Sequence, residues 1–177
     1  MPTNEYVIIY NMSLVVIAHN IRSTHNVGSI FRTCEGFGIN KIIFTGYTPY
    51  PRVINDDRPP HISKKNTAQI AKTALGTESM VDFEYAQDPI DAISKLKEQK
   101  YTIVALEQSS GSIMLQSYKT KPKKLALLLG EEVHGITPEL IKFCDVTLEI
   151  PMTGKKESFN VSVATGIALY ELSIKNI

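Results

Sequence analysis

The sequence is poor in cysteine and histidine, and each scarcity excludes a kind of protein. Among 177 residues there are two cysteines and four histidines. Two thiols, Cys34 and Cys144, are too few for a disulfide framework, and their apolar neighbours favour buried, reduced side chains. The histidines are scattered without paired spacing, which argues against a structural metal site. We therefore expect neither a disulfide scaffold nor a metal.

The net charge is small, and long apolar runs are absent. The formal net charge is +1, so any contact with nucleic acid has to come from local basic patches. No apolar run approaches the roughly 18 residues of a membrane span, and no signal peptide precedes the first predicted strand. These absences predict a cytoplasmic protein with no membrane partner.

Short apolar runs alternate with helical patterns along the chain. Strands are predicted at 14–18, 41–45, 80–85, 102–106, 125–129 and 146–150. Apolar residues at helical spacing predict helices at 26–36, 67–75, 88–96, 137–144 and 161–175. This alternation is typical of strand–helix–strand units, which form parallel sheets with right-handed crossovers.

The pattern therefore predicts one α/β domain over residues 1–177, with a mainly parallel sheet flanked by helices. An extension at about 1–12 precedes the first predicted strand, and it is either an added strand or a start-site artefact. A loop at about 46–67 contains four prolines and a local excess of basic residues. A loop of that length in a compact domain is usually functional or disordered.

Three stretches combine polar residues and glycine beside predicted strand ends and helix starts. They are 20–32, 125–135 and 148–164. In the third, an apolar run stops at Pro151, and Ser158 and Asn160 then open a helix, because their side-chain oxygens suit the free backbone N–H groups there. Taken alone, that stretch indicates no more than a strand, a turn and a capped helix.

In this order and at these separations, the three stretches resemble the motifs of the SPOUT methyltransferases, specifically the SpoU (TrmH-like) branch. The resemblance covers about residues 14–172. It implies methyl transfer from S-adenosylmethionine to a ribose 2′-hydroxyl of tRNA or rRNA, with S-adenosylhomocysteine as the product. It also implies a homodimer and a C-terminal trefoil knot, which no composition or periodicity indicates.

The resemblance assigns a catalytic role to Arg32, whose family counterpart is proposed to activate the 2′-hydroxyl. A guanidinium does not readily lose its proton, so we expect it to stabilise the developing alkoxide or to act through a substrate phosphate. Asn26 is expected to order the loop and to cap the following helix. Glu132 matches the acidic position of Gly-x-Glu-x-x-Gly, and Ser158 and Asn160 are expected to face the reacting centre.

By the same resemblance, Leu106, Gly130, Ile150 and Phe159 bind the cofactor. Phe159 stands where the family pattern has leucine, so the pocket wall is expected to be narrower there. His134 is expected to be a solvated loop histidine. RNA phosphates are expected to contact basic residues of the first motif, the long loop and the cluster at 119–124, namely Arg22, Lys64, Lys65, Lys121 and Lys123. For Arg22, pairing with a carboxylate is the alternative.

Other functions fit less well. A dinucleotide site is disfavoured because Gly36 and Gly38 lack the third glycine of the fingerprint, and Gly154-Lys155-Lys156 lacks the remainder of a phosphate-binding loop. A catalytically silent RNA-binding protein of the same fold and a base-methylating SPOUT enzyme both stay open. The sequence names neither the RNA nor the nucleotide.

Overall fold

The computed structural model describes residues 12–119 and 122–174, whose seven strands form one parallel sheet. The strands are β1 (Ser13–His19), β2 (Lys41–Thr45), β3 (Asp82–Ala86), β4 (Thr102–Leu106), β5 (Ile113–Met114), β6 (Lys124–Leu129) and β7 (Val146–Glu149). Their order is β3-β2-β1-β6-β4-β7-β5, and every pair is parallel. The α/β prediction with a mainly parallel sheet is confirmed, and the trefoil knot stays a prediction.

Helices cover both faces of this sheet. They are α1 (Thr24–Gly36), α2 (Pro60–Ala74), α3 (Pro89–Glu98), α4 (Pro138–Ile141) and α5 (Val161–Leu169), the last continuing into a π-helical turn (Tyr170–Ile174). Helices α1, α2 and α5 pack on one face, and α3 and α4 pack on the other. Alternate residues of β1 point to the two faces, and the run from Leu14 to Ala18 is buried throughout, as expected for a central strand.

Side-chain caps explain where several helices begin. Asp88 accepts a hydrogen bond from Ile90 N, and Thr137 accepts one from Leu140 N. The predicted cap of α1 was wrong, because Ser23 rather than Asn26 holds that position and accepts from Asn26 N. The first helical turn therefore lies two residues earlier than predicted, which leaves the Asn26 side chain available for other contacts.

The predicted loop at 46–67 is shorter in the structure, because α2 begins at Pro60 rather than Thr67. A proline in the first turn suits a helix start. The helical pattern was missed because the buried face of this turn carries Ser63, which is 1% exposed, instead of an apolar residue. A second difference is β5, which lies between β4 and β6, where no strand was predicted, and consists of two exposed residues.

Some predictions concern residues that the structure does not describe. The extension at 1–12 lies outside the described range except for Met12, and Lys121 also lies outside it. Cys34 is buried as predicted, whereas Cys144 is half-buried. Within residues 12–119 and 122–174, no helix is long and apolar enough to span a bilayer.

Parallel strands place all their carboxyl ends at one edge of the sheet, where ligands of open α/β folds bind. The loops after β1, β4, β6 and β7 therefore meet at that edge. The three sequence motifs supply the loops after β1, β6 and β7, so the fold collects them into one region.

Candidate functional site

A cavity of about 340 Å³ opens at the carboxyl ends of β4, β6 and β7. Its wall includes all four residues predicted to bind the cofactor, namely Leu106, Gly130, Ile150 and Phe159. Ser158 also lines it, and Phe159 is 41% exposed at its rim. Cavities of this size are typical of small-molecule sites.

One wall of the cavity is a tight turn between Gly130 and Gly135. Glu131 N donates to Gly135 O at 3.2 Å, and Gly135 N donates to Glu131 O at 3.0 Å. A Cβ on Gly130 would lie 2.5 Å from the carbonyl carbon of Gly135, so a larger residue cannot be accommodated without moving the turn. Gly135 has φ +67°, which favours glycine.

The carboxylate of Glu132 joins this turn to the loop after β1. It accepts hydrogen bonds from Arg22 N at 3.0 Å, Ser23 N at 3.2 Å and Asn26 Nδ2 at 3.0 Å. Burial favours a higher pKa for this carboxyl group, but the hydrogen bonds outweigh burial and the net effect lowers the pKa of Glu132. The charged side chain of Glu132 therefore links the second motif to the first through hydrogen bonds.

Asn26 and Asn160 extend the network to the third motif. Asn160 Nδ2 donates to Asn26 Oδ1 at 3.2 Å. Asn160 Oδ1 accepts from Ser162 N at 2.9 Å and from Ser162 Oγ at 2.7 Å, which caps α5. Because both amides are engaged within the chain, Glu132, Asn26 and Asn160 form a positioning network at the cavity edge.

Arg32 is not on the cavity wall of a single chain. It is exposed on α1, and helix geometry places it about 120° around the axis from Asn26, six residues earlier. Arginine and lysine are absent from the residues that line the cavity within the described part of the chain. The guanidinium expected beside the ribose oxygen is therefore not among the described residues that line this cavity.

The predicted RNA-binding residues fall into two groups. Arg22 follows β1 at the cavity edge, and Lys64 and Lys65 are exposed near the start of α2. Lys123 directly precedes β6 and its carbonyl accepts from Ser13 N at 2.8 Å, so it lies at the opposite edge of the sheet. The length of β6 separates it from Gly130 by about 20 Å.

Four acidic residues that line the cavity were not predicted as site residues, and two of them stand at strand ends. Glu107 directly follows β4, and Glu149 ends β7. Glu149 Oε2 accepts from Ser112 Oγ at 2.6 Å. The rule that selected Gly130, a position just after a buried strand, would have selected Glu107 as well. His134, in contrast, matches its expectation, because its side chain is 76% exposed and pairs with Glu131 at 3.1 Å.

Comparison with known proteins gives one consistent answer. The model of the SpoU rRNA Methylase family matches residues 13–170. A tRNA (guanosine(18)-2′-O)-methyltransferase of Aquifex aeolicus (strain VF5) is 31% identical over 159 residues, which are 89% of this chain and 67% of that protein. The enzyme of the same name from Escherichia coli (strain K12) is 30% identical, over 89% of this chain and 62% of its own length.

Among solved structures, an AdoMet-bound rRNA methyltransferase from Sinorhizobium meliloti is similar, with a TM-score of 0.73 and 25% identity. The match covers 90% of this chain and 55% of that one. The chain thus spans about two thirds or less of these relatives. The family match covers all three motifs, so the resemblance inferred from them is confirmed: the chain belongs to the SpoU rRNA Methylase family, the TrmH-like branch of the SPOUT methyltransferases.

Proposed function

We propose that this protein transfers a methyl group from S-adenosylmethionine to a ribose 2′-hydroxyl of tRNA or rRNA. The observation that supports the proposal is the cavity at the carboxyl ends of β4, β6 and β7, because all four residues predicted to bind the cofactor line it. Relatives of the same family are named as tRNA and rRNA ribose methyltransferases. A single domain over residues 1–177 is part of this proposal.

The residues present suit an adenosine-containing ligand. Leu106, Ile150 and Phe159 offer apolar surface, and the turn from Gly130 to Gly135 forms part of the same lining. When bound, S-adenosylmethionine supplies an electrophilic methyl group on its sulfonium. The chain then has to orient that group toward the ribose oxygen and stabilise the charge that develops on the oxygen.

A second copy of the chain is proposed to supply the cation. Arg32 is exposed, and α1 packs directly on α5, where Thr33 Cγ2 lies 3.8 Å from a Cβ built on Gly166. The outer face of α5 carries Val163, Ile167 and Tyr170, which are 50%, 36% and 51% exposed. Their spacing of four and three residues makes one apolar stripe. A homodimer across this stripe would cover it and bring Arg32 to the partner's cavity.

Mixed dimers test this arrangement. The Arg32→Ala protein should bind S-adenosylmethionine with nearly unchanged affinity, measured by calorimetry, and should transfer no methyl group. The Gly130→Ala protein should fail to bind the cofactor, because the added Cβ collides with Gly135. Co-refolded mixtures of the two inactive proteins should regain activity, since half of the mixed sites carry an intact cavity and an intact Arg32.

Three results would contradict the arrangement: full turnover by the Arg32→Ala protein, a monomer by light scattering at assay concentration, or mixtures that stay inactive. The reaction itself is tested by mass spectrometry of nucleosides from treated tRNA and rRNA. A 2′-O-methylated nucleoside supports the proposal, and a methylated base supports the base-methylating alternative. Absence of cofactor binding at millimolar concentration would indicate an RNA-binding protein without catalysis.

We propose RNA contacts for Arg22 at the cavity edge, for Lys64 and Lys65 near the start of α2, and for Lys121 and Lys123 from the sequence cluster. Removing one cation that neutralises a phosphate should reduce the slope of log affinity against log salt by nearly one. Replacing Lys64 and Lys65 together by glutamine should therefore flatten the slope by up to about two. The matched control is Lys95 with Lys97 on α3, across the sheet from α2, and that double variant should keep the wild-type slope.

A further inference from the structure

Glu107 places a fixed carboxylate on the cavity wall. Its Oε1 accepts from Gln108 N at 2.9 Å, and its Oε2 accepts from Ile136 N at 2.7 Å. One bond comes from the strand end that carries the residue, and the other comes from the residue after the Gly130–Gly135 turn. The carboxylate is thus held between β4 and the loop after β6, and it lines the cavity.

The charge of Glu107 has no cationic partner in the described part of the chain. None of the ion pairs there includes it. Two backbone N–H bonds orient the carboxylate but leave each oxygen with further lone pairs. Gly135 makes room for it, because a Cβ at that position would overlap the carboxylate. These lone pairs face the cavity, where a ligand with hydroxyl groups can donate hydrogen bonds to them.

The neighbouring strands suggest which part of a ligand donates. β4 pairs with β6 in the sheet, so one strand provides a glycine turn and the adjacent strand provides a carboxylate at its carboxyl end. In dinucleotide-binding folds the same combination holds an adenosine, with the acidic residue bonded to the ribose hydroxyl. Leu106, directly before Glu107, gives the apolar surface on which the adenine would lie.

We propose that Glu107 binds the ribose diol of the cofactor's adenosine and so sets the position of that adenosine. The inference rests on the proposed use of S-adenosylmethionine. The proposed contact between Glu107 and the diol does not depend on the sulfonium charge, because the diol is also present in S-adenosylhomocysteine and in neutral 5′-methylthioadenosine. A carboxylate that acted instead through attraction to the sulfonium would discriminate among these three ligands.

The experiment compares Glu107→Gln with wild type by calorimetry, using S-adenosylmethionine, S-adenosylhomocysteine and 5′-methylthioadenosine. An uncharged amide at this position forms weaker hydrogen bonds with the diol, so each ligand should lose affinity by a similar factor, about tenfold. Loss confined to S-adenosylmethionine would overturn the proposal in favour of charge attraction. Unchanged affinity for all three would overturn it as well.

Glu139→Gln is the matched control, because it removes an exposed carboxylate on α4 that does not line the cavity. It should leave the affinity for 5′-methylthioadenosine unchanged, and an equal loss in both variants would refute a specific role for Glu107. A second measurement needs no variant. Wild type should bind 2′,3′-dideoxy-5′-methylthioadenosine at least about tenfold more weakly than 5′-methylthioadenosine, and equal affinity would refute diol recognition.

These outcomes separate the inference from the proposed function. If wild-type protein binds none of the three ligands, the proposed function itself is refuted. Wild-type protein that binds all three, with Glu107→Gln equally competent, would remove only the role of Glu107. Urea unfolding of the variant checks that it is folded, and the amide oxygen of glutamine can still accept from Ile136 N.

Discussion

Replacing Glu132 by glutamine should destabilise the protein measurably, because this one side chain ties two motifs together. One carboxylate oxygen accepts from Ser23 N at 3.2 Å and Asn26 Nδ2 at 3.0 Å, and the other accepts from Arg22 N at 3.0 Å. Glutamine has one accepting oxygen, so its amide N–H₂ group has to face an N–H donor on one side. The remaining hydrogen bonds also lose the charge of the acceptor.

The magnitude follows from these three hydrogen bonds. Hydrogen bonds to a charged group contribute about 1.5–3 kcal/mol each, and partial exposure reduces that value. Losing one bond and weakening the others should lower the free energy of unfolding by about 2 kcal/mol at pH 7. For a domain of this size the melting temperature should fall by about 4–8 °C. Urea and thermal denaturation measure the two quantities, and Glu35→Gln, an exposed carboxylate on α1, serves as the control.

The pH dependence of this difference tests the cause. The folded state lowers the pKa of Glu132, so its stabilisation is present above the unfolded pKa of about 4.3 and is lost as the pH falls through the lowered folded value. Glutamine does not titrate, so the difference in free energy of unfolding between wild type and variant should disappear as the pH falls. A difference in free energy of unfolding below about 0.5 kcal/mol at pH 7 would refute the reasoning. An equal difference at pH 7 and pH 3 would refute it as well.

Further predictions concern the contact between α1 and α2 and the hydrogen bonds by which Arg58 clamps the loop before α2. Gly28→Ala should cost about 2–3 kcal/mol in urea unfolding, because its Cβ would collide with Thr73 on α2. Gly36→Ala, with open space around it, should be neutral or stabilising, and equal losses would contradict this packing argument. Arg58→Lys should speed proteinase K cleavage within 46–59 by about fivefold, because Arg58 donates to Asp56 at 2.8 and 2.6 Å. Cleavage at the wild-type rate would show that the clamp does not order the loop.

The buried strands were predictable because their signal is local. A strand covered on both faces carries a continuous apolar run at its centre, so β2 and β4 were predicted with the bounds that the structure has. The start of α2 was not predictable in this way, because Ser63 is buried there and its hydroxyl bonds to the helix backbone at Pro60 O. β5 was missed because its two exposed residues have no pattern of their own.

The site shows the same division. The motif residues that line the cavity follow strand ends or begin a helix, so Gly130, Ile150 and Ser158 could be chosen from their neighbours in the sequence. The bond between Asn26 and Asn160 joins residues 134 positions apart, and no local pattern indicates it. Arg32 lies on α1, but whether its side chain can reach a cavity depends on which face of α1 packs against the sheet.

The sequence by itself determined the alternation of strands and helices, the parallel sheet and the family motifs, because each depends on side chains close together along the chain. Only the tertiary structure decided the strand order, which inserts β4 between β6 and β7. That order depends on long-range packing of whole elements rather than on local preference. It brings Glu107 beside the glycine turn, and the described residues that line the resulting cavity include no arginine or lysine.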